Sequence, residues 1–206
     1  MATYYVSTTE MKYALNITGT ASDNDVERAV DAASRMVEEY KRLTSGRAVR
    51  YYATVETRYY TPARGAVSLD IDDCVGLNSV LIDRTSDFSY TETWVNNTDY
   101  VLEPKNNALE SKPYRTIVRV PNAGRSFPDY PQSVSVTGTF GWSTTPTLVK
   151  QATQILAARY YNRRNSPFAV LSVGVDSGAA IRLPKTDPDV AQLLDAVDSN
   201  VPRSFA

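Results

Sequence analysis

The hydrophobic period of this sequence changes twice along the chain, and that change most limits the folds open to it. Near the N-terminus and again after residue 145, apolar residues recur every three or four positions, the period of an amphipathic helix. Between about residues 50 and 142, short runs rich in β-forming residues are separated by turn residues, a pattern typical of strands. Helices that bracket a β-rich region predict an α+β fold for this chain of 206 residues.

Residues typical of helix ends, together with the spacing of apolar residues, predict three main helices. Ser7 and Glu10 have the spacing of a capping box, and Ser22 with Asp25 repeats that spacing before the second helix. Gly46 is placed to end the second helix. The predicted helices cover about residues 8–17, 22–44 and 146–164.

Two of these helices carry apolar faces that predict mutual packing. For the third helix, Thr145 is the predicted cap and Pro146 the first helical residue. The predicted face of the second helix consists of Val26, Ala29, Val30, Ala33, Val37 and Tyr40. The predicted face of the third consists of Leu148, Ala152, Ile155, Leu156 and either Arg159 or Tyr160.

Seven short runs predict the strands of the central region. They are "RYYATVETRYYT", "AVSLDI", "NSVLID", "YTETWV", "DYVLEP", "RTIVRV" and "SVSVTGTFGW". Their spacing of roughly 10–15 residues predicts a small antiparallel β-sandwich or barrel. The predicted domains are a helical bundle (1–48 with 144–165), an inserted β domain (49–143) and an extended C-terminal arm with a short helix (166–206).

The sequence offers little catalytic chemistry. It has no histidine, and its lone cysteine, Cys74, excludes an intramolecular disulfide and a cysteine-rich zinc site. Asp70, Asp72 and Asp73 are close enough in sequence to bind a hard cation, but a solvated strand end is the favoured interpretation. We therefore predict a protein that is not an enzyme, with no catalytic, cofactor or metal residues, and leave cation binding by the three aspartates open.

Charge and hydropathy narrow the class of partner. The net charge is −1, whereas general nucleic-acid binders are usually basic. The N-terminal residues lack the pattern of a signal peptide, and no apolar run approaches the ~20 residues of a membrane span. We expect a protein that is made in the cytosol and has no membrane partner. Trp94 and Trp142 are candidates for a sugar site, but sheet core is the favoured role.

A basic and aromatic cluster ends the third helix. It consists of Arg159, Tyr160, Tyr161, Arg163 and Arg164. Arginine and tyrosine are favoured anchors of protein interfaces, but the same residues can contact nucleic acid or form a solvated helix end. A protein interface is the interpretation we favour, and the other two stay open.

Three segments resemble the head–tail connector, or adaptor, proteins of tailed bacteriophages. The first is the acidic helix "SDNDVERAVDAASRMVEEY". The second is "SVSVTGTFGW" followed directly by "TPTLVKQATQILAARYYNRRNSPF", and the third is "VGVDSGAAIRLPKTDPDVAQLL". The resemblance covers the whole chain, and the last 60 residues or so carry most of its specificity.

The resemblance implies a structural virion protein of the head–tail neck, assembled in the host cytoplasm. Such adaptors form a homo-oligomeric ring, commonly twelvefold, beneath the portal protein. The ring extends the channel for genomic DNA without sequence-specific binding and docks the next neck or tail-completion protein. Alternative interpretations are another neck part, such as a stopper, or a carbohydrate- or metal-binding β module.

The segment after the third helix is predicted to pack on other chains. Pro167 ends the helix, and the apolar residues that follow would promote aggregation if they stayed exposed. Folding back onto its own domain is the alternative. The predicted partner interface consists of Arg159, Tyr160, Tyr161, Arg163, Arg164, Pro167, Phe168, Leu171, Ile181, Leu183, Leu193 and Leu194.

Overall fold

The computed structural model describes residues 4–47, 49–163 and 187–198. The chain divides into two compact units, a helical unit from Met1–Gly46 and Thr145–Ala206 and a β unit of Arg47–Thr144. The predicted α+β class is confirmed, because the described chain combines α-helices with an antiparallel sheet. Within the described residues, no helix is long and apolar enough to cross a bilayer.

The helical unit is built around the pairing of its second and third helices. As predicted, α2 packs against α3, and α3 also contacts α4, while α1 lies against α2 and α3. The helices are α1 (Thr8–Ala14), α2 (Asp23–Ser45), α3 (Thr147–Arg163) and α4 (Pro188–Asp198).

One of the two predicted capping boxes is present. The backbone N–H of Glu10 donates to Ser7 Oγ at 3.1 Å, and the Glu10 carboxylate accepts from the Ser7 backbone N–H at 2.8 Å. The second predicted capping box is absent. Ser22 is the N-cap residue of α2, as predicted, but its side chain makes no capping hydrogen bond. Its backbone is not in the extended conformation of the Ser7 cap, so the spacing to Asp25 is not sufficient.

The predicted C-terminal signal of α2 is confirmed. Gly46 has φ 70°, and its N–H donates to the Arg42 carbonyl at 3.0 Å. This left-handed residue ends the helix at low steric cost because glycine has no Cβ. In contrast, α1 ends at Ala14, earlier than predicted, and Asn16 takes the left-handed conformation with φ 54°.

The helix faces follow the sequence closely in α2 and less closely in α3. Five of the residues predicted for α2 are buried: Val26, Ala29, Val30, Ala33 and Val37. The buried face of α3 is instead Val149, Ala152, Thr153, Leu156 and Ala157. Ile155 is 37% exposed, so its predicted core role is wrong. Small residues line the true face, and Thr153 Oγ1 donates to the Val149 carbonyl at 2.8 Å, which satisfies its buried hydroxyl.

All six strands of the β unit belong to one antiparallel sheet. The strand order is β1-β6-β2-β5-β4, and β3 also pairs with β2. The sheet does not close on itself, so the strands form one open sheet and not the predicted sandwich or barrel. The strands are β1 (Thr54–Tyr60), β2 (Ser68–Asp83), β3 (Tyr90–Trp94), β4 (Tyr100–Glu103), β5 (Tyr114–Arg119) and β6 (Val134–Phe140).

Two runs predicted as separate strands form the single long strand β2. Its first part, Ser68–Cys74, pairs with β5, and its second part, from Cys74 to Ile82, pairs with β6. The register shifts between Asp70 and Cys74, where the acidic residues lie. Because β2 has different partners along its length, it joins both halves of the sheet.

The core of the β unit is built from buried residues of strands β2 to β6 together with Phe127. Trp94 and Trp142 are 2% and 5% exposed, and Trp94 belongs to the sheet core, the role that was predicted for both. The Trp94 ring lies 4.7 Å from that of Phe127, and the Trp142 ring lies 5.5 Å from that of Tyr51. Since both indoles are buried, neither offers its face to a sugar.

Candidate partner interface

All charged residues in the described part of α3 are basic. The helix carries Lys150, Arg159 and Arg163 and no acidic residue. Lys150 and Arg163 are exposed, at opposite ends of the helix. The Arg159 guanidinium forms an ion pair with Asp187 at 3.7 Å, and its side chain is 22% exposed. The C-terminal end of α3 therefore offers positive charge to a partner.

Two tyrosines accompany these arginines. Tyr160 and Tyr161 are half-buried, so each packs partly on the helical unit and keeps part of its surface open. Burial raises the pKa of Tyr160, although Arg159 and Arg163 act against that rise. Its phenol is therefore neutral at physiological pH and can donate a hydrogen bond.

The two leucines predicted on α4 have different environments. Leu194 is 0% exposed and packs in the interior of the helical unit with Val190 and Val197. Leu193 is half-buried and lines a shallow, open depression on the outer side of α4. Of these two leucines, only Leu193 has exposed surface that a partner protein could contact.

Half of the predicted interface lies outside the described residues. These are Arg164, Pro167, Phe168, Leu171, Ile181 and Leu183. Of the described half, Arg159, Tyr160, Tyr161, Arg163 and Leu193 keep exposed surface, and Leu194 does not.

The aspartates of β2 differ in exposure: the Asp70 side chain is 62% exposed, as predicted for a solvated position, whereas Asp73 is buried, contrary to that prediction. Asp73 is 3% exposed. Its carboxylate accepts from Arg115 Nε at 2.7 Å and from Trp142 Nε1 at 3.0 Å. Its carbonyl also accepts from the Gly141 N–H at 2.6 Å. Asp73 thus connects β2 with β5 and with the end of the β unit that precedes α3.

The other two aspartates have separate partners. The carboxylate of Asp72 lies 2.6 Å from Arg58 Nη1, and that of Asp70 lies 3.5 Å from Arg47 Nη2. Within the described residues, no three acidic, histidine or cysteine side chains are grouped in a way that could hold a metal ion. The three carboxylates are accounted for by cationic and hydrogen-bonding partners.

Cys74, next to this cluster, is a buried residue of the sheet core. It is 0% exposed. Burial, reinforced by the neighbouring Asp73, raises the pKa of the Cys74 thiol to about 12. Its thiol is therefore protonated at neutral pH.

Asp83 holds a loop at the end of β2 that was not predicted from the sequence. The Asp83 carboxylate accepts from the backbone N–H groups of Thr85, Ser86 and Phe88 at 2.9, 3.0 and 2.9 Å. Phe88 has φ 60° and is 66% exposed. An aspartate followed by small polar residues, as in "DRTSD", is a signal for this kind of turn. The loop therefore holds an exposed aromatic ring in a defined position.

Comparison with known proteins adds information about the fold. No protein-family model matches the chain, and no curated protein matches it in sequence. A chain in the neck of an empty gene transfer agent particle, computed with C6 symmetry, is similar with a TM-score of 0.54 and 17% identity, over 98% of this chain and 92% of that one. A chain in the virion of a native gene transfer agent particle is similar with a TM-score of 0.51 and 17% identity, over 98% and 92%. The chain thus shares its fold, over nearly its whole length, with structures from the neck and virion of such particles.

Proposed function

We propose that this chain is a structural head–tail connector, an adaptor of a phage-like virion. Copies of it form a ring, twelvefold in the form we favour, under the portal. The ring extends the DNA channel and docks the next neck protein. The single observation that carries this proposal is the shared fold with the gene transfer agent neck, over 98% of this chain and 92% of the similar one.

The surface of the helical unit fits a role in assembly. Tyr13 on α1 is 88% exposed, and Met36 and Leu43 on α2 are 47% and 69% exposed. Large apolar side chains at such exposure favour contacts with other chains. They add to the cationic and aromatic end of α3, whose residue types are favoured interface anchors.

Within the ring, two of the predicted parts have separate tasks. The helical unit carries the contacts to neighbouring subunits and to the portal through the end of α3. The apolar residues between α3 and α4, 166–186, reach other chains, as their composition suggests.

The charge of the chain fits a channel through which DNA must move. A net charge of −1 gives little general attraction for phosphates. Genomic DNA therefore passes without being held and without sequence-specific binding. The protein is assembled in the host cytoplasm, resides in the virion and acts without a membrane or an enzymatic step.

The test uses cryo-electron microscopy of the purified full chain mixed with a portal ring from the same source. Two matched variants accompany the natural sequence. Arg163→Glu reverses charge at the exposed C-terminal end of α3, and Lys150→Glu reverses it at the exposed N-terminal end of the same helix. Neither residue is buried, so both variants are expected to fold.

We expect ring density on the tail-facing end of the portal with the natural chain and with Lys150→Glu. Arg163→Glu should lose that density. The variant places a negative charge where the partner surface is expected to carry negative charge that pairs with the arginines of α3. Density that survives in Arg163→Glu removes the end of α3 from the interface. Absence of density with the natural chain, but presence on a preformed adaptor–portal complex, identifies a later neck component.

A further inference from the structure

Strand β1 (Thr54–Tyr60) is the outer strand of the sheet. It pairs with β6 over its whole length in unbroken antiparallel register, from Thr54 opposite Phe140 to Tyr60 opposite Val134. Within the described chain, β6 is its only partner strand. Alternate residues of β1 therefore direct backbone donors and acceptors away from the sheet, where another strand can pair with them.

This edge lacks several of the features that keep natural edge strands from pairing. It has no proline, no lysine and no bulge. Its outward side chains are Val55, Thr57 and Tyr59, all uncharged, and Val55 and Tyr59 are 65% and 54% exposed. The edge is thus long, regular and open.

The two charged residues of β1 lie on the opposite face of the strand. Arg58 Nη2 lies 2.7 Å from the Glu56 carboxylate, and Arg58 Nη1 lies 2.6 Å from Asp72. The side chains of Arg58 and Glu56 remain 20% and 29% exposed. They therefore have surface left for charges on a second strand.

The sequence of β1 is complementary to itself when a second copy runs antiparallel about Thr57. Glu56 then lies opposite Arg58 of the second copy, and Arg58 lies opposite its Glu56. On the other face, Val55 lies opposite Tyr59 of the second copy, and the two copies of Thr57 face each other. Opposite charges and pairs of β-branched with aromatic residues are the cross-strand contacts that stabilise sheets.

Neighbouring registers are worse for identifiable reasons. An axis at Glu56 or at Arg58 places like charges directly opposite each other, which destabilises the pair. An axis between two residues places the core face of one copy beside the exposed face of the other. The pairing centred on Thr57 alone keeps both faces matched and every charge opposed.

We propose that β1 pairs with β1 of a second copy of this chain, about a twofold axis at Thr57. The pairing joins the two six-stranded sheets into one and covers the β1 edge of each copy. A twofold pair closes on itself, whereas a ring needs contacts between two different surfaces. The pair is therefore a state of the chain outside any ring, and it does not depend on the function proposed above.

Charge placed at the axis tests this geometry. Thr57 is exposed, and the hydrogen bond between its hydroxyl and Thr137 Oγ1, at 2.8 Å, is also exposed. In Thr57→Lys, two lysines face each other across the axis, and in Thr57→Glu two glutamates do. In an equal mixture of the two variants, each lysine faces a glutamate. Thr93→Lys, an exposed threonine of β3, is the matched control.

Sedimentation velocity of the full chain gives the readout. We expect a dimer for the natural sequence and for Thr93→Lys, monomers for Thr57→Lys and Thr57→Glu alone, and recovery of the dimer in their mixture. A monomeric natural chain overturns the proposal, as does a dimer that persists in Thr57→Lys. Loss of the dimer in both variants without recovery on mixing excludes a twofold axis at Thr57. A larger ring that is indifferent to Thr57 overturns this pairing and supports the connector function.

Discussion

Asp73 and Arg115, 42 positions apart in sequence, form a largely buried ion pair, with Arg115 Nε 2.7 Å from Asp73 Oδ1. The side chains are 2% and 18% exposed. The pair connects β2 to β5 beside the register shift of β2. It therefore holds the acidic centre of a long strand inside the sheet.

Removing the arginine should strongly destabilise the β unit. We expect Arg115→Ala to lower the free energy of unfolding by about 3 kcal/mol, because it leaves the Asp73 carboxylate buried without its cation. Arg64→Ala is the control, since the Arg64 side chain is 93% exposed and lies 3.6 Å from Asp129. That change should cost less than about 1 kcal/mol in urea unfolding. Equal effects of the two variants would contradict a special role for the Asp73 pair.

The two serines that precede helices provide a second comparison. Ser7→Ala removes the hydrogen bond from the Glu10 N–H and should cost about 1 kcal/mol of stability. Ser22→Ala removes no capping hydrogen bond and should cost clearly less. Thermal unfolding followed by circular dichroism measures both. A larger loss for Ser22→Ala than for Ser7→Ala would show that the caps are wrongly assigned.

Acid should lower the stability of the β unit by protonating two carboxylates that pair with Arg125, those of Asp99 and Glu92. The hydrogen bond from Arg125 lowers the pKa of Asp99 below its ordinary 3.8, and the hydrogen bond from Arg84, with Arg125 nearby, lowers the pKa of Glu92 below 4.5. A carboxyl group with a lowered pKa stabilises the fold above its ordinary pKa, and this contribution is lost as pH falls through the folded-state value.

We therefore expect the melting temperature to fall as the pH drops below about 4, where the unfolded chain takes up protons at these carboxyl groups more readily than the folded chain does. Asp99→Asn should lower the melting temperature at neutral pH and make its fall with acid shallower. Asp129→Asn, at a carboxylate 54% exposed, should leave the profile unchanged. A profile in Asp99→Asn that stays parallel to that of the natural chain would rule out this linkage.

Gly141 should tolerate no side chain. Its φ is 100°, and a Cβ built there would lie 1.9 Å from the Tyr52 carbonyl oxygen. Gly141→Ala should therefore destabilise the β unit by more than about 2 kcal/mol, through both backbone strain and a clash with main chain. Gly65→Ala is the control, because Gly65 also has a positive φ, 71°, but open space around it. The difference between the two melting temperatures isolates the clash.

Sequence alone determined the features that depend on near neighbours in the chain. The α+β class follows from the change of hydrophobic period, and the Ser7 cap and the Gly46 terminator follow from contacts within one helical turn. The buried face of α2 is read from spacing because its residues are plainly apolar. In each case the deciding interaction spans a few residues, so the pattern is visible without the fold.

Only the tertiary structure decided the features that depend on distant partners. Asp73 lies inside β2 because Arg115 and Trp142, remote in sequence, neutralise and bind its carboxylate. Two predicted strands form one strand, β2, because its two parts pair with the distant strands β5 and β6. The sheet is open, and its closure depends on how all its strands pair. The face that α3 buries was set by close packing of small residues such as Ala157, and size matters there more than hydropathy. Partners brought together by folding leave no local signal in the sequence.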